Sequence, residues 1–150
     1  RDLRMSRGLG DVYKRQLGDL RMAAVVAVNA LGDIFDPSTG KKIAGLRTAD
    51  GTSFGDSCEE LWKMGRRENL FTGNTTIGAV FTNGKFNKAQ MNKIASMTRN
   101  AYARCINPVG TMADGDSIYA ASAGDVEADL NVAGTLAAYV MERAIVAAIR

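Results

Sequence analysis

Thr75 is the residue of this sequence that we consider first as a nucleophile. Histidine is absent, so neither a Ser–His–Asp nor a Cys–His pair can form within these residues. A Ser, Thr or Cys at a chain N-terminus needs no such partner, because its own α-amine, with a pKa near ~7.7–8.0, acts as the base. Cleavage must release that N-terminus, between an exposed linker and a buried strand. Gly73-Asn74-Thr75-Thr76 fits this description, although a Thr-Thr pair also reflects ordinary β-propensity.

Two further clusters carry side chains suited to the same chemistry. Asn29 ends a predicted buried strand, where its amide can donate to an oxyanion; the alternative is an ordinary turn residue. Asp114-Gly115-Asp116 precedes another predicted strand, and two carboxylates in one tight loop can hold an α-ammonium or tune its pKa. The alternative there is an Asp-rich turn. A calcium loop is disfavoured because the further oxygen ligands and the closing Glu of an EF-hand are missing.

The elements that must position these residues are short strands followed by long helices. The apolar, valine-rich run at 21–30 predicts a strand buried on both faces. Such an order of elements is typical of a layered α+β fold. The other predicted elements are strands at 75–82 and 117–121, loops at 31–55, a helix at 57–65 with Asp56 as N-cap, an exposed linker at 68–73, a helix from a capping box at 87–90 to Asn107-Pro108, and a long helix from Gly124-Asp125 through Ile149.

Residues 1–16 are predicted to lie outside the fold. The segment 11–16 (DVYKRQ) reads as the translation of a transposase adapter used in sequencing libraries, which indicates an assembly artefact; a flexible or disordered basic tip is the alternative. We then expect a natural chain that is longer at its N-terminus. Residues 1–16 hold five basic and two acidic side chains, which accounts for the whole net charge of +3. Basicity confined to a tip argues against nucleic-acid binding.

The remaining composition excludes several kinds of site. Two cysteines, Cys58 and Cys105, cannot form a Cys₄ zinc or iron–sulfur site, and without histidine no His-ligated metal site is possible within these residues. We therefore expect no cofactor. Two thiols far apart, with no secretory signal, predict a cytoplasmic protein. No apolar run approaches the ~20 residues that span a bilayer, so we expect no membrane association.

Three motifs resemble the family of DmpA-type L-aminopeptidase/D-esterases, also called P1 family peptidases, to which the nylon-oligomer hydrolase belongs. They are 25–33 (VVAVNALGD), 74–80 (NTTIGAV) and 111–119 (TMADGDSIY). Together they occur in the family's order and at about its spacing. The resemblance extends from about Leu17 to Ile149 and is weakest across 41–70.

The resemblance implies an N-terminal-nucleophile hydrolase, an αββα sandwich made as a precursor that cuts itself. It places the cut between Asn74 and Thr75, which divides the domain into an α-chain-like part (17–74) and a β-chain-like part (75–150). Thr75 becomes the nucleophile and its freed amine the general base. Asn29 matches the asparagine that supports the oxyanion, and Asp114 and Asp116 match the acidic pair that supports Thr75 and self-processing. The implied substrates are small peptides, amides or esters, and the implied assembly is a homo-oligomer.

Two departures from the family pattern affect what the resemblance implies. Gly110 stands where the family often has a histidine before its acidic motif, so that side chain is not essential to the chemistry. The family's Gly-rich upstream portion carries a catalytic-site lysine that no residue here matches, Lys14 included. We therefore expect an incomplete catalytic domain, which can be inactive or uncut. Two alternatives stay open: an acyltransferase of the ornithine acetyltransferase type, and a non-catalytic remnant.

Overall fold

The computed structural model describes residues 7–65 and 73–149. Within them lie seven strands and three helices in mixed order. The strands are β1 (Arg7–Leu17), β2 (Leu20–Asn29), β3 (Asp33–Asp36), β4 (Lys41–Ala44), β5 (Ile77–Gly84), β6 (Ile106–Asn107) and β7 (Ser117–Val126), and the helices are α1 (Ser57–Met64), α2 (Lys88–Cys105) and α3 (Leu130–Ile149).

The main sheet brings the end of one strand beside the beginnings of two others. Its strand order is β1-β2-β5-β7, with antiparallel β1–β2 and β2–β5 pairs and a parallel β5–β7 pair. In this register Ala27 of β2 lies opposite Ile77 of β5, and Ile77 lies opposite Ser117 of β7. The three predicted motifs therefore meet at one edge of the sheet.

One face of the main sheet packs against α2 and α3. Side chains alternate along β2 as a period of two requires, and the inward set is fully buried: Leu20, Met22, Ala24, Val26 and Val28. The prediction that this strand is buried on both faces is wrong for the described chain, because Ala27 on the other face is exposed. On that face Phe81 is 50% exposed and Tyr119 65%. The described residues thus supply one helical layer and one sheet of the predicted sandwich.

Arg7–Leu17 forms an edge strand, which corrects the prediction that residues 7–16 lie outside the fold; residues 1–6 lie outside the described residues. β1 pairs with β2 from Arg7 opposite Asn29 to Leu17 opposite Leu20. Main-chain groups carry this pairing, so it needs no strong side-chain pattern. Tyr13 adds an edge contact with the Tyr139 ring at 6.3 Å between ring centres. The adapter origin of these residues stays a prediction.

A small second sheet in the order β4-β3-β6 lies in the region predicted as loop. Its strands are only two to four residues long, too short for a periodic pattern to reveal. Asp33, at the start of β3, is buried and connects this sheet to the segment that leads into α1.

The helix ends agree with the capping patterns except at α3. Asp56 caps α1 by accepting a hydrogen bond from the Glu59 N–H, and a reciprocal capping box opens α2. The predicted start of α3 at 124–125 is wrong, because β7 continues through Val126. Asp129 is the residue whose side chain accepts from the first free N–H groups of α3.

α3 is long and apolar enough to cross a membrane by length and composition alone, contrary to the expectation that no such run exists. More than half of that stretch is buried within the protein. Val140, Met141 and Ile145 are among its fully buried side chains and belong to the core that the helix shares with the sheet. These contacts are those of a core helix.

Candidate active site

The peptide bond between Asn74 and Thr75 is held from both sides by main-chain contacts. The Thr75 N–H donates to the Asn29 carbonyl oxygen at 2.9 Å, where β2 ends. On the other side the Gly115 N–H donates to the Asn74 carbonyl oxygen at 3.0 Å, and Asn74 forms a parallel bridge with Asp114. Asn74 itself is only 2% exposed. The bond predicted to be cut is therefore fixed between two of the three motifs.

The Thr75 hydroxyl lies against the carbonyl of the bond that it would attack. Its Oγ1 donates to the Asn74 carbonyl oxygen at 2.7 Å. Gly115 borders it closely, since a Cβ at that position would be 2.7 Å from Thr75 Oγ1. The hydroxyl is thus confined beside its own preceding carbonyl, and it must turn from the oxygen to the carbon of that carbonyl to attack it.

The Asn29 side chain lies in the site but contacts Gly73, the residue that precedes Asn74, and not the predicted cleavage bond itself. Its Nδ2 donates to the Gly73 carbonyl oxygen at 2.7 Å. Its Oδ1 is buried without a hydrogen-bond partner in the described chain, as are Asn74 Oδ1 and Thr76 Oγ1. Unpartnered buried polar atoms are costly, and three of them surround this one bond.

The two predicted carboxylates have different surroundings. Asp116 Oδ1 accepts from the Thr76 N–H at 2.7 Å. Burial raises the pKa of Asp116; the Thr76 hydrogen bond and the Arg99 charge oppose this, while the Asp114 charge adds to it. Asp114 Oδ2 accepts from the N–H of Thr111 at 2.8 Å and from its hydroxyl at 2.9 Å. Asp116 therefore contacts the segment that carries the nucleophile and leads into β5, whereas the Asp114 side chain bonds within its own loop.

Helix α2 supplies two residues that the sequence did not single out for the site. Arg99, Tyr102 and Asp116 line a cleft of about 270 Å³. The Tyr102 hydroxyl lies 3.4 Å from the Thr76 carbonyl oxygen and 3.3 Å from that of Ser117. Burial raises the pKa of Tyr102, with the Asp116 charge adding to the effect, so the phenol is neutral at working pH. Both residues lie in the helix predicted from 87–90 to Asn107-Pro108, and no motif includes Arg99 or Tyr102.

Arg99 also borders Gly110, the position at which the sequence departs from the family pattern. Gly110 has φ +70°, a conformation that favours glycine. A Cβ at this position would lie 2.8 Å from Arg99 Nη2. The guanidinium thus fills the space into which a side chain at 110 would project, and its positive charge acts on Asp116.

The chain was compared with known protein families. The model of Peptidase family S58 matches residues 7–150. The chain belongs to this family. The match includes the end of β2, the predicted cleavage bond and the acidic loop, so the whole candidate site lies within the region that defines membership.

Curated relatives in this family are longer than this chain. An uncharacterized aminopeptidase of Mycobacterium leprae is 32% identical over 108 residues, which cover 71% of this chain and 30% of the relative. A 6-aminohexanoate-oligomer endohydrolase of Kocuria sp. is 29% identical over 127 residues, covering 80% of this chain and 34% of that enzyme. The chain thus spans about a third of the length of these relatives.

A solved structure supports the fold assignment. The L-aminopeptidase D-Ala-esterase/amidase of Ochrobactrum anthropi, described as a variant of the Ntn-hydrolase fold, has a TM-score of 0.61 and 16% identity. The similarity covers 97% of this chain and 40% of that one. The predicted N-terminal-nucleophile-hydrolase type of fold is confirmed.

The described residues do not assemble a metal site. No group of three or more His, Cys, Asp or Glu side chains suited to a metal occurs in residues 7–65 and 73–149. The side chains that the structure brings together at the Asn74–Thr75 bond carry a hydroxyl, amides and carboxylates, groups that can support acyl transfer.

Proposed function

We propose that this chain carries the self-processing centre of an N-terminal-nucleophile peptidase or amidase, with Thr75 as the nucleophile. The observation that carries the proposal is the contact of Thr75 Oγ1 with the carbonyl of Asn74, within a peptide bond that is held on both sides. Membership in Peptidase family S58 and relatives named as an aminopeptidase and an oligomer endohydrolase support amide hydrolysis.

The first reaction is an N→O acyl shift. Thr75 Oγ1 bonds to the Asn74 carbonyl carbon, the C–N bond breaks, and the hydroxyl proton ends on the leaving nitrogen. The products are an ester and a free α-amine on Thr75. Water then hydrolyses the ester, which restores the hydroxyl and leaves a carboxylate on Asn74. Asp116 accepts the Thr76 N–H throughout the reaction, and this contact keeps the adjacent Thr75 in position beside the acidic loop.

After the cut the same groups act on a substrate. The freed amine of Thr75 faces the Asn29 carbonyl oxygen, to which its nitrogen donated before cleavage, and acts as general base for its own hydroxyl. Release of the Gly73 segment frees the Asn29 side-chain amide to support the substrate oxyanion. An acyl-enzyme forms on Thr75 and is hydrolysed. We propose N-terminal amino acids and small amides or esters as the substrate class.

The intact mass of the purified chain under denaturing conditions tests the proposal. We expect two fragments, residues 1–74 and 75–150, whose masses together exceed the intact 16.0 kDa by one water. N-terminal sequencing should then start at Thr75. A single uncut species after prolonged incubation over a range of pH values would contradict self-processing.

Replacement of Asp116 with asparagine is expected to stabilise the fold and slow the cut. The pKa of Asp116 is raised in the folded state, so folding favours the protonated form and stability falls as the pH rises through this pKa. Asparagine still accepts the Thr76 N–H but lacks the negative charge that favours protonation of the neighbouring Thr75 nitrogen. We expect a higher thermal midpoint at pH 7 and self-cleavage slower by about 10²-fold or more.

The two effects of Asp116→Asn can be measured separately. Thermal unfolding from pH 3 to pH 8 is measured in uncut Thr75→Val chains with and without Asp116→Asn. The difference gives the contribution of the Asp116 carboxylate to the stability of the fold. A lower midpoint in the Asp116→Asn chain at neutral pH would show that the carboxylate stabilises the fold. An unchanged rate of cutting would remove Asp116 from the proposed mechanism.

A further inference from the structure

The Asn74 carbonyl oxygen accepts two hydrogen bonds, of which one must break during self-cleavage and the other can persist. One comes from the Thr75 hydroxyl at 2.7 Å and the other from the Gly115 N–H at 3.0 Å. The hydroxyl must give up its donation when Oγ1 turns to attack the carbonyl carbon. The Gly115 N–H stays in place, because it belongs to the main chain.

The Asn29 side chain is engaged elsewhere while the chain is uncut. Its Nδ2 donates to the Gly73 carbonyl oxygen at 2.7 Å, one residue before the carbonyl that is attacked. The amide expected to support the oxyanion is therefore held on the wrong oxygen for self-cleavage. Apart from the attacking hydroxyl itself, the Gly115 N–H is the described donor that lies on the oxygen of the reacting bond.

We propose that the Gly115 backbone N–H is the oxyanion donor of self-cleavage, whereas the Asn29 side chain serves substrate hydrolysis after the cut. This inference rests on the proposed function of the site. As Thr75 Oγ1 bonds to the carbonyl carbon, the carbonyl π electrons move to the Asn74 oxygen, which becomes negatively charged. The N–H already directed at that oxygen stabilises this charge without rearrangement.

The position of the Gly115 amide is fixed by contacts on both sides of it. Asp114 forms the parallel bridge with Asn74, and Asp116 accepts the Thr76 N–H at 2.7 Å. Because both flanking residues are bonded to the segment 74–76 that carries the cleavage bond, the N–H keeps its position as charge develops. The burial of Asn74 lowers the local dielectric constant and strengthens the interaction.

Glycine is required at 115 for steric reasons as well. A Cβ there would lie 2.7 Å from Thr75 Oγ1 and 3.7 Å from Thr75 Cβ. A side chain would therefore displace the nucleophile while leaving the N–H in the chain. A substitution of Gly115 by another amino acid would displace the nucleophile without removing the N–H, so it cannot measure the role of the N–H. The test must therefore remove the N–H alone.

Replacement of the amide by an ester provides that test. In a chain assembled by chemical ligation, Gly115→glycolic acid exchanges the N–H for an oxygen and adds no side-chain atom. Ala113→lactic acid is the matched control, because the Ala113 N–H in the same loop donates to Thr111 Oγ1 at 3.2 Å and not to Asn74. We expect self-cleavage about 10²–10³-fold slower in the first chain and close to the unmodified rate in the control.

The outcomes separate this inference from the proposed function. If the unmodified chain cuts itself and Gly115→glycolic acid cuts at the same rate, the inference is wrong and the function stands. If the unmodified chain never cuts, the proposed function fails and the inference with it. Equal slowing of both ester chains would assign the effect to the loop as a whole and overturn the inference.

A spectroscopic measurement tests the hydrogen bond apart from the reaction. In an uncut Thr75→Val chain with a ¹³C-labelled Asn74 carbonyl, the Gly115 N–H is the described donor left on that oxygen. Gly115→glycolic acid should move the labelled carbonyl stretch to higher frequency, and Ala113→lactic acid should leave it unchanged. A band that stays in place in a folded chain would contradict the inference.

Discussion

Replacing Thr75 with valine is expected to abolish self-cleavage and hydrolysis together, leaving one species of 16.0 kDa. Valine keeps the branched shape of threonine and removes only the hydroxyl that lies 2.7 Å from the Asn74 carbonyl oxygen. Loss of a catalytic nucleophile costs on the order of 10⁶-fold in rate. Loss of a single hydrogen bond costs only about 1 kcal/mol of stability, so the chain should still fold. Intact mass and circular dichroism check both expectations.

Serine at position 75 is the matched control. Thr75→Ser retains a hydroxyl and an α-amine after cleavage, so it should still cut between residues 74 and 75, although the smaller side chain holds its hydroxyl less firmly. If Thr75→Val were cut at the same bond, another agent would be responsible, such as a contaminating protease. Loss of cutting in Thr75→Ser with an intact fold would show that the threonine methyl group is essential to the geometry.

The sequence predicts the groups around the cleavage bond well because each lies in a short motif. Asn29, Thr75 and Asp116 belong to three separate motifs, and the sheet register places these motifs at one edge. Strand and helix patterns predict that register only coarsely. The carboxylates could not be distinguished in this way, since burial and the neighbouring charge of Arg99 determine how Asp116 behaves.

Other parts of the site arise from packing and leave no local pattern. Arg99 and Asp116 line the same cleft because α2 packs against β7, and no local sequence pattern records this packing. β1 pairs through its main chain, which any sequence provides. The Asn29 side chain contacts Gly73 rather than Asn74 because of its side-chain geometry. A motif specifies residue types and does not predict that geometry.

Asp33 lies in the region predicted as loop, and the structure makes it the centre of a buried cluster. Its side chain is 3% exposed and accepts four hydrogen bonds. The donors are Lys42 Nζ at 2.6 Å, the Leu46 N–H at 2.9 Å, the Ser57 N–H at 3.0 Å and the Ser57 hydroxyl at 2.7 Å. One carboxylate thus connects β3, β4 and the start of α1 immediately after the strand that ends at Asn29.

Asp33→Ala is expected to cause the largest loss of stability among the single substitutions considered. It leaves the Lys42 ammonium, itself only 17% exposed, without its counter-charge and frees two main-chain N–H groups in a partly buried region. Removing one partner of a buried ion pair costs about 3–5 kcal/mol, a large part of the about 5–15 kcal/mol that stabilises a typical protein. Urea unfolding of uncut Thr75→Val chains with and without Asp33→Ala measures this difference. A loss below about 1 kcal/mol would show that solvent replaces the carboxylate at little cost.

The pH dependence of the same cluster follows from its charge. Burial by itself raises the pKa of Asp33, but the hydrogen bonds from Lys42, Ser57 and Leu46 outweigh this effect and hold the pKa below its ordinary value. A carboxyl whose pKa is lowered by folding contributes stability that is present above its unfolded pKa and disappears as the pH falls through the folded value. The uncut chain should therefore lose the contribution of Asp33 to its stability as the pH falls below about 4. Asp33→Asn should be less stable at pH 7 and should show a shallower loss in acid, because its amide has no charge to lose. Equal acid sensitivity of the two chains would assign the transition to other carboxylates.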